Sequence, residues 1–131
     1  MRVIEGTVGS GYGVAKFNLA PFHHLIESRS GLVGLLGGTL NVAVGLPYHV
    51  TPVAKLTRAE YYNYEEILFQ RCRVGGIRCL IMRPETHERG GGHGPSHLEI
   101  MSDRHLRTAL GLMDGSIIAI EVEGDDNWWT G

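Results

Sequence analysis

A glycine-rich segment near the start of the chain constrains the fold more than any other feature. It reads GTVGSGYGVAKF from Gly6 to Phe17, with glycines at positions 9, 11 and 13. The stretches on either side, Arg2–Val8 and Val14–Leu19, both read as β-strands. In mononucleotide P-loops and Rossmann folds a helix follows the glycines directly, and its N-terminus meets the phosphate. The segment therefore predicts a strand–loop–strand unit and argues against both of those folds.

Two interpretations of this loop stay open at the level of the residues. Glycine has no Cβ, so such a loop can lie flat against a phosphate with its N–H groups pointing at the ligand. Kinases of several folds cover a nucleotide with a strand–loop–strand unit of this kind. The alternative is a glycine-rich hairpin that binds nothing, and the motif alone favours it because a GxGxG run is weakly specific.

The composition is that of an ordinary single globular domain. The 131 residues are 43% apolar and 20% charged, and the net charge of −2 makes nucleic acid an unexpected partner. No apolar run approaches the length of a membrane span, and the N-terminus is unlike a signal peptide. We therefore expect a cytoplasmic protein without membrane contact.

A β-hairpin is predicted around the two cysteines. The segment RCRVGGIRC runs from Arg71 to Cys79 and has a two-residue Gly-Gly turn at its centre. Counting outward from the turn pairs Cys72 with Cys79 on the core side. In a cytoplasmic setting we expect two reduced, buried thiols rather than a disulfide.

The remaining patterns predict further strands and little helix. Strands are predicted at 38–44, 65–74, 77–83, 97–101 and 117–123, and short helices at 21–27, around 56–61 and at 102–110. About seven strands joined by frequent turns are typical of a small all-β barrel or sandwich. The C-terminal tail contains Trp128 and Trp129 and either docks on this unit or frays.

Thr39 and Asn41 fall on one face of the strand predicted at 38–44. They place a hydroxyl and a side-chain carbonyl two residues apart. Such neutral oxygens suit Mg²⁺, which keeps several waters and takes further ligands from substrate phosphates. The alternative is a pair of polar residues on a solvated face.

A polar, glycine-rich stretch from Pro84 to His97 is predicted to be unstructured. This stretch and the residue just beyond it contain histidines and glutamates that could be zinc ligands. They are His87, Glu88, His93, His97 and Glu99. Their spacing matches no compact ligand signature, and three consecutive glycines argue against a pre-set site. A flexible lid is therefore favoured over a metal centre.

Two arginines, Arg104 and Arg107, lie three residues apart near the start of the helix predicted at 102–110. Cations in the first turn oppose the helix dipole, so an anionic ligand nearby would rationalise them. An ordinary solvated face is the commoner cause of such a pair.

Four blocks in sequence order together resemble the archaeal-type CTP-dependent riboflavin kinase family. They are GTVGSGYGVAKF, GTLNV from Gly38, RPETH from Arg83, and HLEIMSDRHLRTALGLMDGSIIAIEVEGD ending at Asp125. The resemblance implies a small closed six- to seven-stranded cradle-loop β-barrel with short peripheral helices. We expect this barrel over residues 1–125, with no DNA-binding extension before it and a C-terminal tail at 126–131.

The activity implied by the resemblance is transfer of the γ-phosphate of CTP to the ribityl 5′-hydroxyl of riboflavin. The products are FMN and CDP, and Mg²⁺ assists. Such a reaction depends on positioning, charge neutralisation and a metal that bridges phosphates. The expected partners are riboflavin, FMN, CTP and CDP, in a monomer or small homo-oligomer.

The resemblance also assigns roles to residues. Nucleotide contacts are implied for the glycine loop and the predicted helix start: Ser10, Gly11, Tyr12, Gly13, Val14, Ala15, Arg104, His105, Leu106 and Arg107. It implies metal ligation by Thr39 and Asn41, and flavin contacts by Thr86 and Glu99. Glu99 is also the nearest candidate for a catalytic base, but the family gives it a binding role, and the base stays unassigned.

This chain departs from the family pattern at two places. Val14 and Ala15 stand where the family usually has an acidic residue and a further glycine, and the loop between Thr86 and Glu99 looks longer. Besides an active kinase, two alternatives therefore stay open. One is a barrel that binds flavin or nucleotide without transferring phosphate, and the other is a metal-dependent enzyme built on the loop at 87–99.

Overall fold

The structure is a computed structural model that describes residues 1–10 and 19–130. Most of the glycine-rich segment lies outside these ranges, including Gly11, Tyr12, Gly13, Val14 and Ala15. The strand expected at 14–19 also lies outside the described residues, apart from residue 19. Among the described helices, none has the length and apolarity needed to cross a membrane.

The described residues form seven β-strands and four short helical segments. The strands are β1 (Arg2–Gly9), β2 (Leu40–Val44), β3 (Ala54–Leu56), β4 (Ile67–Val74), β5 (Ile77–Pro84), β6 (His97–Ser102) and β7 (Ile117–Glu123). The helical segments are a 3-10 turn (Ala20–Phe22), α1 (His23–Ser30), α2 (Glu85–Glu88) and α3 (Leu106–Leu110).

Six of these strands close into an antiparallel barrel. Its order is β4-β5-β6-β2-β1-β7, and β7 returns to β4 through the pairs Arg73↔Glu121 and Val74↔Ile120. The seventh strand, β3, lies outside the barrel and pairs with the beginning of β4. The small closed β-barrel with short peripheral helices is thus confirmed.

The beginning of β4 pairs with β3 and its end pairs with β7, and a side chain lies between the two pairings. Gln70 is buried there, and its Oε1 accepts hydrogen bonds from the Tyr48 hydroxyl and the Thr51 N–H, both at 2.9 Å. Its Nε2 donates to the carbonyl of Val122 on β7 at 3.5 Å. The Gln70 amide therefore provides hydrogen-bond partners where β4 changes from pairing with β3 to pairing with β7.

The β4–β5 hairpin forms as predicted. Gly75 and Gly76 occupy the turn with φ values of 57° and 78°, a region that favours glycine. The register pairs Cys72 with Cys79, and both thiols are free and buried. The two-residue turn thus determines which residues meet along the whole hairpin.

Apolar side chains pack on both faces of the barrel wall. The inner face encloses one core, which includes Val42, Ile81, Leu98 and Ile120. The outer face of β4, β5 and β6 carries a second core with Phe69 and residues of α1. These strands are therefore buried on both sides, which explains their nearly continuous apolar sequence.

One predicted helix is wrong, and another begins later than predicted. The segment around 56–61 begins with β3 and continues in turns, where Tyr62 and Asn63 adopt φ values of 57° and 59°. The helix predicted from 102 begins only at Leu106. Ser102 instead ends β6, and its Oγ donates to the carbonyl of Arg78 at 3.0 Å.

The C-terminal tail docks on the barrel through Trp129. Its ring is 2% exposed, and its Nε1 donates to the carbonyl of Cys72 at 2.9 Å. The guanidinium groups of Arg71 and Arg78 lie over the ring, 4.7 and 5.2 Å from its centroid. Of the two alternatives for the tail, docking is the one observed.

Replacing this tryptophan should destabilise the protein strongly. Trp129→Ala removes a buried ring from the outer core and should lower the free energy of unfolding by about 3–5 kcal/mol. Urea unfolding followed by circular dichroism measures the change. Asp126→Ala, at an exposed position of the same tail, should change it by less than about 0.5 kcal/mol. Equal effects of the two variants would contradict the docking role of Trp129.

Candidate active site

A cleft of about 160 Å³ lies between the segment before β2 and the segment that begins α3. One wall is formed by residues 36–39, the other by residues 104–107, and Leu40 and Ile100 lie between them. The cleft thus brings the predicted metal ligand Thr39 together with four residues predicted to contact nucleotide. Those four are Arg104, His105, Leu106 and Arg107.

Hydrogen bonds hold the first wall in place. The N–H of Leu36 donates to the carbonyl of Ser102 at the end of β6, at 3.0 Å. Glu27 of α1 accepts the N–H groups of Gly34 and Leu35 with one carboxylate oxygen, at 2.8 and 2.9 Å. The position of this wall therefore depends on both the barrel and α1.

Thr39 and Asn41 lie beside two side chains of β6. In the β2–β6 ladder Asn41 is opposite Glu99. The hydroxyl of Thr39 donates to Glu99 Oε1 at 3.0 Å, and His97 Nε2 lies 3.0 Å from Asn41 Oδ1. Because an amide oxygen only accepts, the imidazole is the donor in the second bond. Three oxygen-bearing side chains are thus held together on this outer face of the barrel.

Burial shifts the pKa values of Glu99 and His97 in the directions that favour their uncharged forms. Desolvation raises the pKa of the Glu99 carboxyl, while the hydrogen bond from Thr39 opposes that shift. Burial also lowers the pKa of His97 to about 4, aided by the neighbouring His93, His87 and Arg83. His97 is therefore a neutral hydrogen-bond donor at neutral pH.

The polar stretch after β5 is not unstructured, which corrects the sequence prediction. It begins with α2 and continues in turns that pack on the barrel. His87 is buried, and the His93 ring lies 5.4 Å from the His87 ring and 5.2 Å from the His97 ring. A Cβ at Gly92 would come within 2.2 Å of His87 Nε2, so only glycine fits there.

A buried ion pair anchors the same stretch. Arg83 is 1% exposed and forms a salt bridge with Glu88 of α2 at 2.5 Å. It also donates to the carbonyls of Tyr48 and Pro95, at 2.9 and 3.2 Å.

Among the described residues, no three His, Cys, Asp or Glu side chains are arranged to hold a metal ion. The alternative of a metal centre built on the loop at 87–99 thus finds no support.

Thr86, a predicted flavin-binding residue, lies in the first turn of α2 and is held by Glu65. Its N–H and its hydroxyl both donate to Glu65 Oε1 at 2.9 Å. Sequence reasoning missed Glu65, although the signal was present. The register that pairs Val74 with Ile77 and Ile67 with Pro84, continued by two residues, places 65 opposite 86.

The base of the glycine-rich segment is tied to α3 and to the turn before β7. Arg107 Nη2 donates to the carbonyl of Gly9 at 2.9 Å and to Asp114 Oδ1 at 2.7 Å. The hydroxyl of Ser10 donates to Asp114 Oδ2. Sequence reasoning identified Ser10 and Arg107 but missed Asp114, which joins them.

A family model named for CTP-dependent riboflavin kinase, and described as domain of unknown function DUF120, matches residues 8–122. The chain belongs to this CTP-dependent riboflavin kinase domain family. The matched range contains every residue of the candidate site from Gly9 to Asp114.

Curated riboflavin kinases of archaea are similar to the chain. Riboflavin kinase of Thermoplasma volcanium is 28% identical over 92% of this chain and 57% of its own length. The Pyrobaculum arsenaticum protein is 30% identical, over 91% of this chain and 60% of its own length. The Staphylothermus marinus protein is 24% identical over 95% of both chains. The chain therefore spans less than two thirds of the first two of these riboflavin kinases.

The contact between Thr39 and Glu99 is testable by titration. We expect the pKa of Glu99 to lie above the ordinary value for glutamate, and Thr39→Val to raise it further because a bond to the charged form is lost. Carboxyl ¹³C NMR measures both values. Thr86→Val, which breaks a contact to Glu65 instead, should leave the pKa of Glu99 unchanged. A lowered pKa in Thr39→Val would contradict the contact.

Proposed function

We propose that this chain phosphorylates riboflavin to FMN, with CTP as the phosphate donor and Mg²⁺ as an assisting ion. The observation that carries the proposal is the cleft, which sets Thr39 against the wall formed by residues 104–107. Membership of the family and similarity to curated riboflavin kinases support the choice of substrates. The reaction forms a bond between the ribityl 5′-oxygen and the γ-phosphorus and breaks the bond to CDP.

The nucleotide phosphates are proposed to lie between the arginine wall and the base of the glycine-rich segment. Arg104 and Arg107 line the cleft, and guanidinium groups bind phosphate oxygens with directed, charge-assisted hydrogen bonds. Gly9 and Ser10 lie beside Arg107 through the contacts of its Nη2 and of Asp114. We propose nucleotide contacts for Gly11, Tyr12, Gly13, Val14 and Ala15, which follow in sequence.

The side-chain oxygens of Thr39 and Asn41 fit Mg²⁺. They are a hydroxyl and an amide oxygen, and each is held by a hydrogen bond to a side chain of β6. Oxygen ligands with few fixed protein contacts are what this hard cation accepts beside substrate phosphates. When bound, the ion would neutralise charge on those phosphates.

The flavin is proposed to contact Thr86 and Glu99. The hydroxyl proton of Thr86 is engaged by Glu65, which leaves the Thr86 oxygen as an acceptor for an N–H of the flavin ring. Glu99 is half-buried and carries a raised pKa, which suits a carboxylate that takes up a proton from the ribityl hydroxyl. We therefore keep Glu99 as the candidate base besides its role in binding.

Direct assay of the purified protein tests the reaction. Protein is incubated with riboflavin, MgCl₂ and each of CTP, ATP, GTP and UTP in turn, and FMN is measured by chromatography. We expect FMN with CTP, and less with the other three nucleotides. If riboflavin binds while no nucleotide yields FMN, the chain is the binding barrel without transfer, and the kinase proposal fails.

Removing the proposed metal ligands tests the Mg²⁺ site. Thr39→Ala combined with Asn41→Ala should lower the rate of FMN formation more than roughly 100-fold, since loss of groups that merely orient metal ligands already costs up to that much. Riboflavin affinity, measured by quenching of its fluorescence, should stay within about twofold. Mn²⁺ binding in the presence of CDP, measured by electron paramagnetic resonance, should weaken in parallel. Unchanged turnover would remove both residues as ligands.

A further inference from the structure

We propose that Asp114 is a positioning residue, which holds Arg107 and the base of the glycine-rich segment in the arrangement that receives the nucleotide phosphates. This inference rests on the proposed function, because it concerns the nucleotide half of the same site. It adds a residue for which neither the sequence patterns nor the family resemblance assigned a role.

The carboxylate of Asp114 joins two parts of the chain that are distant in sequence. Its Oδ2 accepts the hydroxyl proton of Ser10, and its Oδ1 accepts from Arg107 Nη2 at 2.7 Å. Each oxygen therefore has a different partner, one on the glycine-rich segment and one on α3. Removing the carboxylate breaks both connections at once.

The turn that carries Asp114 is itself fixed to β1. The N–H of Gly115 donates to the carbonyl of Val8, and the N–H of Val8 donates to the carbonyl of Ser116, both at 2.8 Å. Gly115 has a φ of 90°, which a residue with a side chain rarely adopts. The backbone thus holds Asp114 beside the end of β1, next to Gly9 and Ser10.

Arg107 is held through one nitrogen of its guanidinium group and also lines the cleft. Its Nη2 donates to both Gly9 and Asp114, and within residues 1–10 and 19–130 its Nε and Nη1 have no protein acceptor. Arg107 lines the cleft, whereas Asp114 does not. The cation is therefore presented to an incoming anion while its counter-charge stays outside the cleft.

A carboxylate suits this position better than an amide. Both of its oxygens accept, so Asp114 serves two donors, and hydrogen bonds to the charged groups are strengthened. An asparagine keeps one acceptor for Arg107 but loses the negative charge, and its N–H₂ group forces the Ser10 hydroxyl to accept instead of donate. Ser10 and Arg107 also hold the pKa of Asp114 below its usual range, as two donors to the ionised form should.

Binding and kinetics of Asp114 variants test the proposal. In Asp114→Ala and Asp114→Asn we expect the dissociation constant for CDP with Mg²⁺, measured by calorimetry, to rise about tenfold or more. The KM for CTP should rise with it, while the dissociation constant for riboflavin stays within twofold. Asp114→Glu should recover part of the affinity. Asp126→Ala, an exposed aspartate of the tail, should match the wild type.

A merely structural role predicts a different pattern. If Asp114 only stabilised its turn, the melting temperature would fall and the affinities for CDP and riboflavin would weaken together. That result, or an unchanged affinity for CDP, overturns the inference.

The inference and the proposed function can fail separately. A wild-type protein that binds CDP but forms no FMN refutes the kinase reaction, and the Asp114 variants still test the positioning role through binding. A wild-type protein that forms FMN, with CDP binding unaltered by Asp114→Ala, refutes the inference alone. A wild-type protein that binds no nucleotide refutes both.

Discussion

The pairing of β2 with β6 is the constraint on which the candidate site depends. Leu40 and Val42 face the barrel interior opposite Ile100 and Leu98, so burial of these apolar pairs fixes the register. A slip by one residue would turn these side chains outward and the polar ones inward. The same register places Asn41 opposite Glu99 on the outer face. The hydrophobic core thus determines which oxygen atoms can meet on the other side of the wall.

Much of the fold could be predicted because it depends on local patterns. The Gly75-Gly76 turn fixed the hairpin register and with it the pairing of Cys72 and Cys79. The alternating pattern of β7 gave its bounds at Ile117 and Glu123 without error. By contrast, β3 is three residues long and gains its hydrogen bonds from β4, so no periodic signal marks it.

Individual residues of the cleft could be selected from the sequence, but their contacts could not. Thr39 and Arg107 were identified from short motifs, and the structure places both on one cleft. The link from Asp114 to Ser10 depends on the closed barrel, which brings the turn before β7 to the end of β1. Contacts of that kind arise from topology, and a single sequence does not display them.

Closure of the barrel also has a consequence for how this protein behaves at high concentration. Each described strand of the barrel has a neighbour on both sides, so β3 alone among the described strands has a strand on one side only. Arg29 Nη1 donates to the carbonyl of Lys55 in β3 at 2.9 Å. The open edge of β3 is short and carries Lys55, whose ammonium group pairs with Glu66 at 3.3 Å. Short, lysine-bearing edges resist the addition of strands from other molecules. We therefore expect the open edge of the described sheet to resist edge-to-edge aggregation.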